Sequence, residues 1–210
     1  MVRTEKQPPK GTFTDFLRAR FKGVLDPIGA FFIRLGLTPN SVTLLGLLGI
    51  FAASVLLARG HFFWGGLVVL IMAPLDALDG TMARLQGNPT RFGGVLDSVV
   101  DRFAEIILIG GLVIYYLQQG EGLPVLLGYA AASGSLMVSY VKARAEAAHF
   151  SVKGGLLTRV ERFLVLIPLL LLSQPLIALW ILAILGNFTA LQRIWLVYQQ
   201  SRQGEDLPKA

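Results

Sequence analysis

The sequence predicts an all-α integral membrane protein, with six transmembrane helices and an N-terminal amphipathic helix lying in the membrane interface. Three observations predict it. Of the 210 residues 54% are hydrophobic, and the mean hydropathy of +0.62 exceeds that of an ordinary soluble domain. Six apolar runs, near 40–58, 62–84, 95–117, 123–143, 157–173 and 176–199, each approach the roughly 20 residues a helix needs to cross a bilayer core. Of the 19 Lys and Arg residues, only Arg59 falls on the side opposite the termini. The positive-inside rule then places both termini, the 85–94 turn and the 144–156 loop in the cytoplasm. That asymmetry also accounts for the net charge of +6 without a nucleic-acid partner.

The chain contains no cysteine, which excludes a disulfide framework and a thiolate metal site. Its only histidines are His61 and His149, so a Cys/His zinc site is excluded as well. The first residues, MVRTEKQPPKGTFTDF, lack the apolar stretch of a cleavable signal peptide, and the mature protein is expected to keep them.

Residues 1–11 carry prolines, a glycine and alternating charge, and read as a disordered tail. From 12 to 36 the chain interleaves apolar and basic residues at helical spacing. Phe13, Phe16, Leu17 and Phe21 share a stripe, and Arg18, Arg20 and Lys22 lie mostly off it, as in a cytoplasmic juxtamembrane helix resting on anionic headgroups. The membrane domain follows at 37–202, with a short tail at 203–210. Its first helix opens at Leu37-Thr38-Pro39-Asn40-Ser41, where Asn40 or Ser41 would cap and Pro39 is tolerated. In the second run Pro74 removes a backbone donor and should bend the helix just before Asp76. The fourth run is rich in small residues, among them Gly128, Ala131, Gly134 and Ser135, which suit close helix packing in lipid.

The stretch from Asp76 to Asp101, DALDGTMARLQGNPTRFGGVLDSVVD, is where function concentrates. An ionisable group is costly in hydrocarbon, and here four acids stand beside membrane-length runs. Asp76 and Asp79 are three residues apart, and Asp97 and Asp101 four apart, so on helices each pair shares a face. Gln86, Gly87, Asn88, Pro89 and Thr90 break the pattern between them, allowing the second helix to double back. Four converging carboxylates repel one another unless cations intervene. Oxygen ligands suit magnesium or manganese, and a pair of such ions serves phosphoryl chemistry. Gly80 and Ala83, four residues beyond Asp76 and Asp79, leave room for a bulky group such as a nucleotide beside the helix.

The spacing Asp76, Asp79-Gly80, Ala83-Arg84, Gly93, Asp97, Asp101 resembles, without a departure, the signature of the CDP-alcohol phosphotransferase family. The resemblance implies transfer of a phosphatidyl-type group from a CDP-linked lipid, CDP-diacylglycerol, to an alcohol with release of CMP. It also implies that Asp76, Asp79, Asp97 and Asp101 hold Mg2+ or Mn2+, with two ions expected, and that Asp101 is the base toward the acceptor hydroxyl. By the same resemblance Pro39, Asn40, Ser41, Val42, Gly80, Ala83, Arg84 and Thr90 contact the CDP-lipid, and the protein is a homodimer.

Lys142, Arg162 and Arg193 lie toward the cytoplasmic side at the level of the acids. So many cations favour an acceptor that is itself a phosphate ester. Arg144, Lys153 and Arg159 read as topology signals. The strings SYVKARAE and RVER, joined by a Gly-containing loop, are similar to the prokaryotic phosphatidylinositol phosphate synthases. That likeness implies inositol 1-phosphate as acceptor, phosphatidylinositol phosphate as product and the prokaryotic plasma membrane as location. Phosphatidylglycerophosphate synthesis is the alternative within the family. An ion or metal transporter is the alternative outside it, but the acids gather at one membrane face and none marks a route to the other. A purely structural membrane protein gives no reason for the acids at all.

Overall fold

The computed structural model describes residues 13–87, 89–152 and 154–205, and the predicted tail at 1–11 lies outside them. Among the described residues the regular elements are all helices: α1 (Phe13–Arg34), α2 (Pro39–Ala58), α3 (Phe62–Met72), α4 (Leu75–Leu85), α5 (Arg91–Gln118), α6 (Gly122–Ala147), α7 (Arg159–Leu171) and α8 (Pro175–Glu205). Helix α8 runs through 203–205, which had been expected to belong to a tail.

Helices cover all six predicted runs, but length and composition qualify four as membrane spans: Pro39–Ala58, Phe62–Leu85, Gly122–Ala147 and Pro175–Arg202. The other two differ for separate reasons. The first half of α5 carries Asp97, Asp101, Arg102 and Glu105, and the 13 residues of α7 extend only about 20 Å, short of a hydrocarbon core of about 30 Å. The second run breaks where Pro74 predicts it. Helix α3 ends at Met72, Ala73 and Pro74 intervene, and α4 begins again at Leu75.

Helix starts show why the entry motifs lie where they do. Thr38, rather than Asn40 or Ser41, caps α2, its Oγ1 accepting from Ser41 N at 3.2 Å. Pro39 is the first helical residue, where its missing N–H leaves nothing unsatisfied, so the cap falls one residue earlier. Thr90 caps α5 in the same way, accepting from Gly93 N at 3.0 Å. Between α4 and α5 the turn is closed by Gly87, whose φ of +66° suits a residue without a Cβ.

The main core joins α2, α3, α5, α6, α7 and α8 around Leu57, Leu108, Leu112, Leu170, Leu179 and Leu182. A smaller cluster, Val42, Leu78 and Met82 packed by Leu25, Phe32 and Ile33, docks α1 onto α4. Large apolar side chains such as Leu48, Phe51, Trp64, Ile71 and Ile184 face outward, the inverse of a soluble protein. Small residues set the closest helix approaches, as their sequence pattern predicts. A Cβ added to Gly111 would lie 2.5 Å from Ser54 O on α2, and one added to Gly134 would lie 2.9 Å from Asn187 N on α8. Gly111→Val is therefore expected to force α2 and α5 apart and lose about 1–3 kcal/mol, read as a lower thermal midpoint in detergent.

Candidate active site

The α4–turn–α5 hairpin brings three of the four predicted acids together. One oxygen from each of Asp76, Asp97 and Asp101 lies within 4.8 Å of the others. Asp76 sits in the first turn of α4, while Asp97 and Asp101 are one turn apart on α5. Asp79 is on the adjacent turn of α4 but faces α2. Its Oδ2 accepts from Thr43 Oγ1 at 2.5 Å and its Oδ1 from Gly80 N at 2.5 Å. The same Thr43 hydroxyl lies 3.1 Å from Pro39 O, which keeps it at the start of α2 beside the acid it orients. Thr43 had no part in the sequence reading, although its position four residues after Pro39 places it on the face of α2 that meets the motif.

The larger surprise is Arg159. Read from sequence as a topology signal, it grips Asp76 with both ends of its guanidinium, Nη1 to Oδ2 at 2.7 Å and Nη2 to Oδ1 at 2.8 Å. The same Nη2 lies 2.6 Å from Asp101 Oδ1. A planar fork matches paired carboxylates in a way a lysine does not, so this arginine supplies the cation that the converging acids require. The one available signal was Arg159-Val160-Glu161-Arg162, which puts two arginines three apart on one helical face at the start of α7.

Two cavities flank the acids. The first, about 430 Å³, is lined by Pro39, Asn40, Gly80, Ala83, Arg84 and Thr90, with Asp79 and Asp97 at its inner end. It brings together six of the eight residues expected at the CDP-lipid. Ser41 is instead engaged with Thr38, and Val42 is 1% exposed, packed in the cluster beneath α1. Glycine at 93 keeps this cavity open, because a Cβ there would lie 2.9 Å from Thr90 Oγ1 and 3.3 Å from Asn40 Oδ1. Arg84 lies along its wall, held by a 2.8 Å hydrogen bond to Thr81 Oγ1.

The second cavity, about 680 Å³, is lined by Asp76 and by Arg102, Lys142, Arg159, Arg162 and Arg193. All three basic residues predicted for the acceptor reach it, but their states differ. Lys142 is exposed, 3.8 Å from Glu146. Arg162 is 4% exposed, with Nη2 2.6 Å from Glu105 Oε1 and Nη1 donating to Leu157 O at 3.1 Å. Arg193 is 5% exposed and donates to Gly154 O at 3.0 Å and Val138 O at 2.6 Å. Arg102, absent from the predicted set, donates to Ser139 Oγ at 2.5 Å and stands 3.8 Å from Asp101. Between the cavities a narrow space is lined by Asp76, Asp79, Asp101 and Arg159. The acids thus form a partition with a nucleotide-sized chamber on one side and a cationic chamber on the other.

All-oxygen donors within 4.8 Å of one another, in a site that already draws in a guanidinium, fit a hard divalent cation. The arrangement also matches known proteins. A phosphatidylinositol phosphate synthase of Streptomyces avermitilis is 37% identical over 213 aligned residues, covering 93% of this chain and 86% of that one. The phosphatidylinositol phosphate synthase of Mycobacteroides abscessus is 38% identical over 187 residues, 84% of each chain. Among solved structures, Mycobacterium tuberculosis phosphatidylinositol phosphate synthase with CDP-DAG bound superposes with a TM-score of 0.79 at 33% identity, covering 83% of this chain and 94% of that one. The same enzyme in complex with manganese and citrate gives 0.78, covering 83% and 88%. The family profile described as CDP-alcohol phosphatidyltransferase spans residues 36–192, taking in the four acids and every named lining residue of the two chambers except Arg193, and to that family this chain belongs.

Proposed function

We propose that the protein transfers a phosphatidyl group from CDP-diacylglycerol to inositol 1-phosphate, giving phosphatidylinositol phosphate and CMP. The observation that carries this reading is the partition of acids between two chambers of opposite character. CDP-diacylglycerol occupies the chamber of Pro39, Asn40, Gly80, Ala83, Arg84 and Thr90, where the glycines and alanine leave room for the nucleotide. Ser41 and Val42 support the entry turn from behind. The acceptor lies in the opposite chamber, its phosphate met by Lys142, Arg193 and Arg162. Arg159 stands at the boundary and balances the acids while facing the acceptor side.

Asp76, Asp79, Asp97 and Asp101 would hold divalent cations, two Mg2+ or Mn2+ ions, which neutralise the pyrophosphate and its developing charge. Asp101, buried at the wall between the chambers, takes the proton of the attacking hydroxyl. The hydroxyl oxygen forms the new bond to the lipid-side phosphorus, the bond from that phosphorus to the bridging oxygen breaks, and CMP leaves with that oxygen.

In the membrane, α5 and α7 complete a bundle of six crossing segments, the charged half of α5 being enclosed by neighbouring helices and the short α7 being lengthened by its flanking residues to the full run 157–173. Helix α1 rests on the cytoplasmic surface among lipid headgroups, with the termini and the active site on that side of a prokaryotic plasma membrane. The working unit is a homodimer. Names borne by the relatives support the acceptor, and the CDP-DAG and manganese carried by the M. tuberculosis enzyme support the donor and the cation.

The direct test is CMP release by purified protein with CDP-diacylglycerol and Mg2+, offering inositol 1-phosphate, glycerol 3-phosphate, inositol and serine in parallel. Turnover with inositol 1-phosphate alone supports the assignment. Preference for glycerol 3-phosphate keeps the chemistry and replaces the acceptor, and absence of release from folded protein removes the reading. Arg84→Ala should raise the CDP-lipid KM by about 10- to 100-fold, the effect of losing one charge-assisted phosphate contact, and leave the acceptor KM unchanged.

A further inference from the structure

The segment 154–157 carries no side chain of the proposed chemistry, yet three successive anchors bind it to one face of α8. Arg193 Nε donates to Gly154 O at 3.0 Å, Leu156 N to Gln192 Oε1 at 3.3 Å, and Leu157 N to Thr189 Oγ1 at 3.1 Å. Thr189, Gln192 and Arg193 are spaced three and four apart, so they share a face of the helix. The fit is close. Gly155 has a φ of +150°, and a Cβ on it would lie 2.9 Å from Thr189 Cγ2 and 3.1 Å from Arg193 Nε.

Leu157 is the fixed point of this segment. Its side chain is 3% exposed, its N–H is taken by Thr189, and its carbonyl accepts from Arg162, which Glu105 holds from α5. Thr158 stands immediately before the first residue of α7, its hydroxyl turned to Glu161, and Arg159, two residues beyond the pinned peptide, reaches Asp76 and Asp101. The aim of a guanidinium that touches two acids therefore depends on where Leu157 sits. Thr189 is suited to hold it. Its hydroxyl donates to Leu185 O at 2.7 Å, which orients the oxygen lone pairs outward to accept the Leu157 N–H.

We propose that Thr189 and Gln192 are positioning residues that strap segment 154–157 to α8 and so deliver Arg159 to the boundary between the acids and the acceptor chamber. The inference rests on the reaction assigned above, and its test separates the two. Thr189→Val keeps the side-chain shape and leaves a buried N–H without a partner. Amide hydrogen exchange across 154–158 should quicken while protection in α2 and α5 stays unchanged. Acceptor kcat/KM should fall about fivefold, the size of one neutral hydrogen bond, with the CDP-lipid KM within about twofold of wild type. Thr189→Ser should restore both, and Gln192→Leu should shift both in the same direction by less.

Unchanged exchange at 154–158 overturns the proposal, as does faster exchange accompanied by equal changes in donor and acceptor KM. If protection is lost throughout Thr189→Val, Gln192→Leu carries the test by the same criteria. The exchange measurement needs no substrate. An inactive wild type therefore overturns the assigned reaction, while local exchange in the variant still decides the strap.

Discussion

Asp101→Asn is expected to reduce turnover by about 10²- to 10⁴-fold, the range of a lost general base, while the protein still binds CDP-diacylglycerol. The substitution preserves shape and removes the ability to take up the acceptor proton. Donor affinity should survive, because the chamber proposed for the donor is lined by α2, α4, the turn between α4 and α5, and the start of α5 as far as Asp97, and does not include Asp101. Equilibrium binding of CDP-diacylglycerol beside steady-state CMP release checks this directly. Normal turnover would remove Asp101 from the base role. Loss of binding together with turnover would make it a structural or metal-holding group alone.

Removing divalent cations should abolish turnover completely and yet leave the protein folded, with activity returning on addition of Mg2+ or Mn2+. The reason for survival lies in Arg159. Converging carboxylates without a countercharge repel, but this guanidinium already pairs with Asp76 and Asp101. Replacing it breaks a partly exposed pair with Asp76 and a more buried one with Asp101 and leaves their acids uncompensated, a loss on the order of 2 kcal/mol, or a fall in thermal midpoint of about 6 °C. The expected pattern is specific: Arg159→Met should fall by that amount in chelator and by much less with Mn2+ present. An equal loss in both conditions would show that Arg159 contributes packing rather than charge. Residual turnover in thorough chelation would remove the metal from the reaction.

The parts of the site that were legible in the sequence are those fixed over a few residues. Asp76 and Asp79, and Asp97 and Asp101, are related by helical spacing, and the breakers at 86–90 dictate that their helices fold back. The same local logic located the break at Pro74 and the small residues that let α6 approach α8. What escaped depends on pairing across long separations. Arg159 meets Asp76 across 83 positions, and Thr43 meets Asp79 across 36, with no periodicity linking either pair. Arg162 and Arg193 were legible as cations near the site, but not as groups whose donors are taken by Leu157 O, Gly154 O and Val138 O. Charge can be read from composition, whereas the direction of a donor cannot. The α2 cap was misplaced because a proline at the first helical position moves the cap before it, a rule the motif itself contained.

The two chambers have a consequence for the kinetic order of the proposed reaction. With nucleotide and acceptor on opposite faces of one wall, as proposed above, neither would have to depart before the other binds. Both substrates can occupy the protein together, so double-reciprocal plots at several fixed donor concentrations should intersect rather than run parallel. A single passage of phosphorus from one face to the other, with no side chain carrying it in between, inverts its stereochemistry. A chiral phosphorothioate donor should accordingly yield product of opposite handedness.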